Sequence, residues 1–217
     1  MRKTPLITDH IYHIFNRGVN KGEIFFNDGD YYRFYLAAVH YTIKTTKFSY
    51  ERSPTDNFND TGSLNSLNQP RVEILAYCLM PNHFHFLIKQ SVDNGITSYM
   101  RQLTNSYSHY VNIKYKRVGP LFGSRFKNVL IETEEQLIHV SRYIHLNPLI
   151  LGLVPNLNNY RWSSYLGFLN EDENRFLNRE LILEHFKNPQ DYQKFVLDQA
   201  DYARELDRLK HLMVDED

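Results

Sequence analysis

Apolar side chains recur along this chain with two periods, and the switches between them mark out its elements. Residues 10–16 (HIYHIFN) alternate apolar and polar positions, as expected of a strand with one buried face, and Arg17-Gly18 begin a turn. Residues 28–44 carry apolar positions at helical spacing behind an acid suited to capping, Asp28. Residues 71–79 read as a strand, Met80-Pro81-Asn82 as a turn, and His83 to Lys89 as the returning strand of a hairpin. A second helix is predicted from about 94 to 115, closed off by Gly119-Pro120 and Gly123, and a fourth strand from 125 to 131. Thr133 with Gln136 three residues on forms a capping-box pattern, and the helix it opens should stop near Pro148.

Strand, helix, strand, strand, helix, strand is the split βαβ order, so the expected fold class is α+β: a ferredoxin-like antiparallel sheet with helices on one face. The helix after the fourth strand would have to pack over the opposite face. Residues 45–70 change character, being rich in Ser, Asn, Asp and Thr and holding Pro54, Gly62 and Pro70, and are expected to be a long polar insertion. The chain divides into a core domain, 1–168, and an acidic helical C-terminal extension, 169–217, whose apolar positions (Leu181, Leu183, Phe186, Phe195, Leu197) could cover a channel, fold against the core or bind a partner.

Composition narrows the class. With 42% hydrophobic and 14% aromatic residues among 217, most of the chain should fold. A single cysteine excludes an intrachain disulfide framework, the first residues lack the apolar run of a signal peptide, and no segment approaches a membrane span, so a cytoplasmic protein is expected. The formal net charge of +0 on its face argues against a nucleic-acid partner, but it averages two unlike regions. No carboxylate falls between Asp93 and Glu132, where Arg101, Lys114, Lys116, Arg117, Arg125 and Lys127 lie, whereas the chain beyond residue 170 is acid-rich. The basic middle suits phosphate binding or a solvated helix face. Interleaved tyrosines and phenylalanines there could stack bases or fill the core.

The densest chemistry lies in residues 76–88 (AYCLMPNHFHFLI). On a strand, His83 and His85 share one face while Phe84 and Phe86 take the other, a two-imidazole platform for a metal ion. A catalytic metal needs a further ligand, and the best source is the helix after the fourth strand, where Tyr143 and Asn147 are four apart and hence on one face. His139, His145 and Tyr107 are competitors for a chemical role, and Asn16 and Arg17, beside a strand end, are candidate phosphate contacts. Trp162 is expected to be a buried anchor.

LMPNHFHFL, GPLFGSRFK, YIHLNP and RWSSY, in that order, resemble the single-tyrosine HUH transposases, most closely the REP-associated tyrosine transposase branch, over about residues 8 to 168. The resemblance implies a metal-dependent single-stranded DNA endonuclease and strand transferase acting on hairpin-forming repeats, as monomer or homodimer. Its tyrosine, Tyr143 by correspondence, would attack a phosphodiester and become linked to the 5′ phosphate. His83 and His85 match the HUH pair, and Asn147 sits where the family places a third ligand to a divalent ion, Mg2+ or Mn2+. Two other readings compete: a non-cleaving DNA- or RNA-binding module of the same fold, and a hydrolase that activates water and needs no tyrosine.

Overall fold

The computed structural model describes residues 5–43, 47–48, 70–170 and 176–200. Most of the polar insertion expected between 45 and 70, and the extension from 201 onward, lie outside the described residues. The elements run β1 (Ile11–Arg17), α1 (Asp28–Ile43), β2 (Val72–Met80), β3 (His83–Gln90), α2 (Gly95–Lys114), β4 (Lys127–Ile131), α3 (Glu134–Ile150), α4 (Tyr165–Leu169), α5 (Glu180–Leu183) and α6 (Pro189–Leu197). The strands form one antiparallel sheet in the order β2-β3-β1-β4, the ferredoxin-like arrangement expected from the element order.

Strand alternation sorts the sheet into two unlike faces. Tyr12 and Ile14 of β1 with Phe84, Phe86 and Ile88 of β3 are fully buried under α1 and α2, where Phe34 packs on Phe84 and Tyr107 and Phe86 meets Tyr99. His13, Phe15 and Arg17 of β1 and His83 and His85 of β3 project from the other side, since Phe15 is paired with His85 and Arg17 with His83. α3 lies on that second face, chiefly over β2 and β3. In front of β1 and β4 the face stays more open: His13 and Phe15 are half-buried, and Lys127 and Val129 are exposed.

Local chemistry sets the helix ends. The residue capping α1 is Asn27 rather than the expected Asp28: its Oδ1 accepts from the Asp30 amide at 3.2 Å, while Asp30 Oδ2 reaches back to the amide of Phe26 at 3.0 Å. α3 begins as its sequence proposes, with Thr133 Oγ1 accepting from the Gln136 amide at 3.1 Å and Gln136 Oε1 accepting from the Glu132 amide at 2.8 Å. It does not stop at Pro148. The helix runs to Ile150 with the proline inside its last turn, and the amide of Leu151 still reaches the carbonyl of Asn147 at 3.1 Å. So close to the end, a missing N–H forfeits one bond and the turn survives.

The C-terminal segments fold against the core. Trp162 and Ser164 pair their backbone with Leu79 and Tyr77 along the outer edge of β2, and α5 and α6 pack on α3. His145 of α3 is the buried bolt, with Nδ1 2.7 Å from Tyr192 Oη and Nε2 2.7 Å from Ser164 Oγ. Trp162 is the anchor expected of it, stacked on Tyr31 and donating to Asp28. No helix among the described residues is long and apolar enough to cross a membrane.

Candidate active site on the open face of the sheet

The two histidines of β3 are held from different sides. His83 Nδ1 lies 2.6 Å from Asn82 Oδ1, and Asn82 is itself oriented because its Nδ2 donates to the carbonyl of Lys21 at 2.9 Å. An amide oxygen only accepts, so His83 carries its proton on Nδ1 and its Nε2 bears a lone pair. The close turn that makes this possible depends on Gly18, whose amide donates to the Asn82 carbonyl and where an added Cβ would lie 2.1 Å from the Gly22 carbonyl oxygen. His85 is 5% exposed and its Nδ1 is 2.9 Å from Nε2 of His13, a residue that the sequence pattern did not single out.

Burial holds these rings neutral. Desolvation lowers His13 to about 4; it lowers His83 to about 4 as well, with Arg17 adding to the effect. His85 is pushed well below 6.5 by burial first, then by His13, His83 and Arg17. Neutral imidazoles are the state a metal ion requires. His85 Nε2 is buried and has no hydrogen-bond partner, the condition of a nitrogen awaiting something other than a protein group. No cluster of three His, Cys, Asp or Glu among the described residues could hold a metal, so these imidazoles would need a ligand of another type.

Tyr143 stands over the same spot. Its ring centroid is 5.5 Å from that of His85 and 5.9 Å from that of His13, and the residue is 47% exposed. Asn147, one turn further along α3, is buried and its Nδ2 donates to the carbonyl of Tyr143 at 2.7 Å, so its side chain follows the helix face that carries the tyrosine. The competitors are occupied elsewhere. Tyr107 is buried and donates to the Ile24 carbonyl, His145 is locked between Tyr192 and Ser164, and His139 Nδ1 is 2.6 Å from the Arg142 guanidinium.

The candidate DNA contacts separate into groups. Arg17 pairs with His83 across the strands, and Lys127 pairs with Phe15, which in turn pairs with His85; both cations thus share the histidine face. Arg125, exposed, precedes Lys127 by two residues, and Lys116 and Arg117 follow the end of α2. Arg101 lies on α2, on the far side of the sheet. Lys114, also on α2, is 2.6 Å from fully buried Asp30. Asn16 is buried, with Nδ2 donating to the Ser124 carbonyl at 3.1 Å and Oδ1 accepting from the Arg17 amide, which ties the loop before β4 to the end of β1.

Residues 63–147, which include both β3 histidines, Tyr143 and Asn147, match the family described as "Transposase IS200 like". Over this segment, less than half of the chain, the sequence is similar to the IS200-like transposases. Among solved structures it is similar to a REP-associated tyrosine transposase bound to a REP hairpin, with a TM-score of 0.55 and 15% identity over 76% of this chain and 82% of that one. At that identity the likeness establishes the fold alone. No curated protein matches the chain.

Proposed function

We propose that the chain is a metal-dependent single-stranded DNA endonuclease and strand transferase that acts on hairpin-forming repeats through a 5′-phosphotyrosine link. The observation that carries this reading is the convergence of a half-exposed phenol on the neutral rings of buried His85 and half-buried His13, with half-buried His83 beside His85, at an open sheet face flanked by Arg17 and Lys127. An ordinary phenol, with a pKa near 10, is a poor nucleophile at neutral pH and needs both placement and charge relief.

His83 and His85, through their Nε2 atoms, and Asn147 would hold a divalent ion; Mg2+ and Mn2+ both accept nitrogen and oxygen donors, with the imidazoles favouring Mn2+. When bound, such an ion supplies neutralisation of the charge that builds on a phosphate oxygen. Arg17 and Lys127 grip backbone phosphates on either side. α3 presents the Tyr143 hydroxyl from the rigid side of the cleft, so the approach to phosphorus is set by the helix rather than by a loop. The tyrosine oxygen forms a bond to phosphorus, the bond to the 3′ oxygen breaks, and the phenolic proton is balanced by the one taken up on the departing 3′ hydroxyl. Rejoining reverses these steps, and the phosphotyrosine ester conserves the energy of the cut link, so no nucleotide triphosphate is consumed.

The test is a labelled single-stranded hairpin with its flanking sequence, incubated with the protein and Mn2+. A covalent protein–DNA adduct that disappears in Tyr143→Phe supports the proposal. Cleavage retained in Tyr143→Phe would identify a water-activating hydrolase, and metal-independent binding without cleavage would identify a binding module.

A further inference from the structure

We propose that His13 is a positioning residue: its Nε2 accepts the Nδ1 proton of His85 and so fixes His85 in the tautomer whose Nε2 lone pair is available to a divalent cation. The inference rests on the metal-dependent reading of the site and assigns a role to a residue 70 positions upstream of the nearest matched histidine.

The two ring nitrogens, 2.9 Å apart, share one hydrogen, and there are two ways to place it. If His13 Nε2 carries it, His85 must keep its own proton on Nε2, the buried atom without a partner; an orphaned buried N–H is costly and blocks ligation. If His85 Nδ1 carries it, the His85 Nε2 is left with a lone pair and His13 keeps its proton on Nδ1. The second arrangement is the one His83 already adopts, its Nδ1 proton being given to Asn82. The pair of imidazoles then offers the same atom from each ring, with a separate protein acceptor behind each.

Sheet geometry explains why a histidine does this. His13 is not the direct partner of His85, which is Phe15, but lies two residues along on the same face. Diagonal neighbours on adjacent antiparallel strands stand roughly 7–8 Å apart, so the bridging atom must sit at the far end of a long side chain. The Nε2 of histidine reaches, and the Oε1 of glutamine has a similar reach. Asparagine is too short, and phenylalanine offers no acceptor.

The experiment uses the 217-residue chain and Mn2+ alone as the probe. His13→Phe should lose about 10–100-fold in Mn2+ affinity by titration calorimetry while keeping its circular dichroism spectrum, and His13→Gln should keep most of the affinity. A purely structural role for His13 would show no such difference between the two variants at equal stability. Nitrogen-15 spectra of the metal-free wild type at pH 7, assigned with His85→Ala, should show His85 protonated on Nδ1 and bare on Nε2. A His85 ring protonated on Nε2, or unchanged Mn2+ affinity in folded His13→Phe, would overturn the proposal. A wild type that takes up no Mn2+ would sink the metal reading instead, and the tautomer spectrum would then decide the His13–His85 contact by itself.

Discussion

Lys127 and Arg17 face the histidines whereas Arg101 stands behind the sheet, and that difference in placement gives charge reversal or removal a direction. Arg17→Ala and Lys127→Ala should each weaken single-stranded DNA binding by several-fold and reduce the slope of log affinity against log salt by about one contact's worth, roughly 0.7. Arg101→Ala should do much less; equal losses from all three, measured by anisotropy at several salt concentrations, would contradict a binding path on the histidine face. Much at this scale was legible in the sequence. The alternation of β3 places both imidazoles on one side, and the four-residue spacing of Tyr143 and Asn147 places them on one helix face. His13 was not legible, because a single histidine in an alternating strand carries no motif. The available signal was topological: in a ferredoxin-like sheet β1 lies beside β3, so a polar ring on the open face of β1 must neighbour His85. The basic run from 101 to 127 was legible as charge but not as a surface, since consecutive residues of one run end up on α2, in the connection and on β4, on opposite sides of the sheet.

At the scale of elements, α1 and α2 are clamped by one carboxylate. Asp30 is fully buried and accepts from Lys114 Nζ at 2.6 Å, Tyr115 Oη at 2.6 Å, the Phe26 amide at 3.0 Å and Tyr110 Oη at 2.9 Å. Burial alone would raise its pKa, but these donors outweigh it, Lys114 first, and hold the group below its usual value. Asp30→Ala leaves the donors without an acceptor. Because Lys114 can turn partly to water, the expected loss is about 3 kcal/mol, a fall in Tm on the order of 10 °C. A shift under about 2 °C in calorimetry would show that the cluster is not a clamp. Since the folded pKa is depressed, this contribution is present at neutral pH and is lost as pH falls through the folded value. Helix positions were readable from apolar spacing, but the buried clamp was not, since nothing local says that Asp30 and Lys114 meet across 84 residues. The stop expected near Pro148 falls two residues beyond it, at Ile150, because the last turn tolerates a missing N–H that a helix interior does not.

For the whole molecule, the neutral buried histidines make acid the weak side of the fold. His13 and His83 near 4 and His145, lowered by burial to about 3, all lie below the ordinary 6.5, so the unfolded chain binds more protons than the folded one across that window. Stability should be full above about pH 7, decline as pH falls through 6.5, and keep falling to below about pH 4, each ring withdrawing about 1–2 kcal/mol by pH 5. Calorimetry of the metal-free chain from pH 7.5 to 4.5 should show a steady drop in Tm that added Mn2+ partly reverses; a Tm flat across that range would contradict the buried neutral state. The βαββαβ order and its antiparallel sheet were legible from periodicity alone, with strand ends displaced by only a residue or two. What periodicity could not supply was how the C-terminal segments close the edge of β2 and lock α3 through His145, since those contacts join pieces that are individually short and unpatterned. Locked that way, α3 holds the Tyr143 phenol in place over the imidazoles. The most direct measurement is to digest the adduct formed on a single-stranded hairpin and locate the linked nucleotide by mass spectrometry. A 5′-phosphonucleotide on the peptide containing Tyr143, with a free 3′ hydroxyl on the released strand, is the predicted result; cut DNA bearing an unlinked 5′ phosphate, or a link at any other residue, would contradict it.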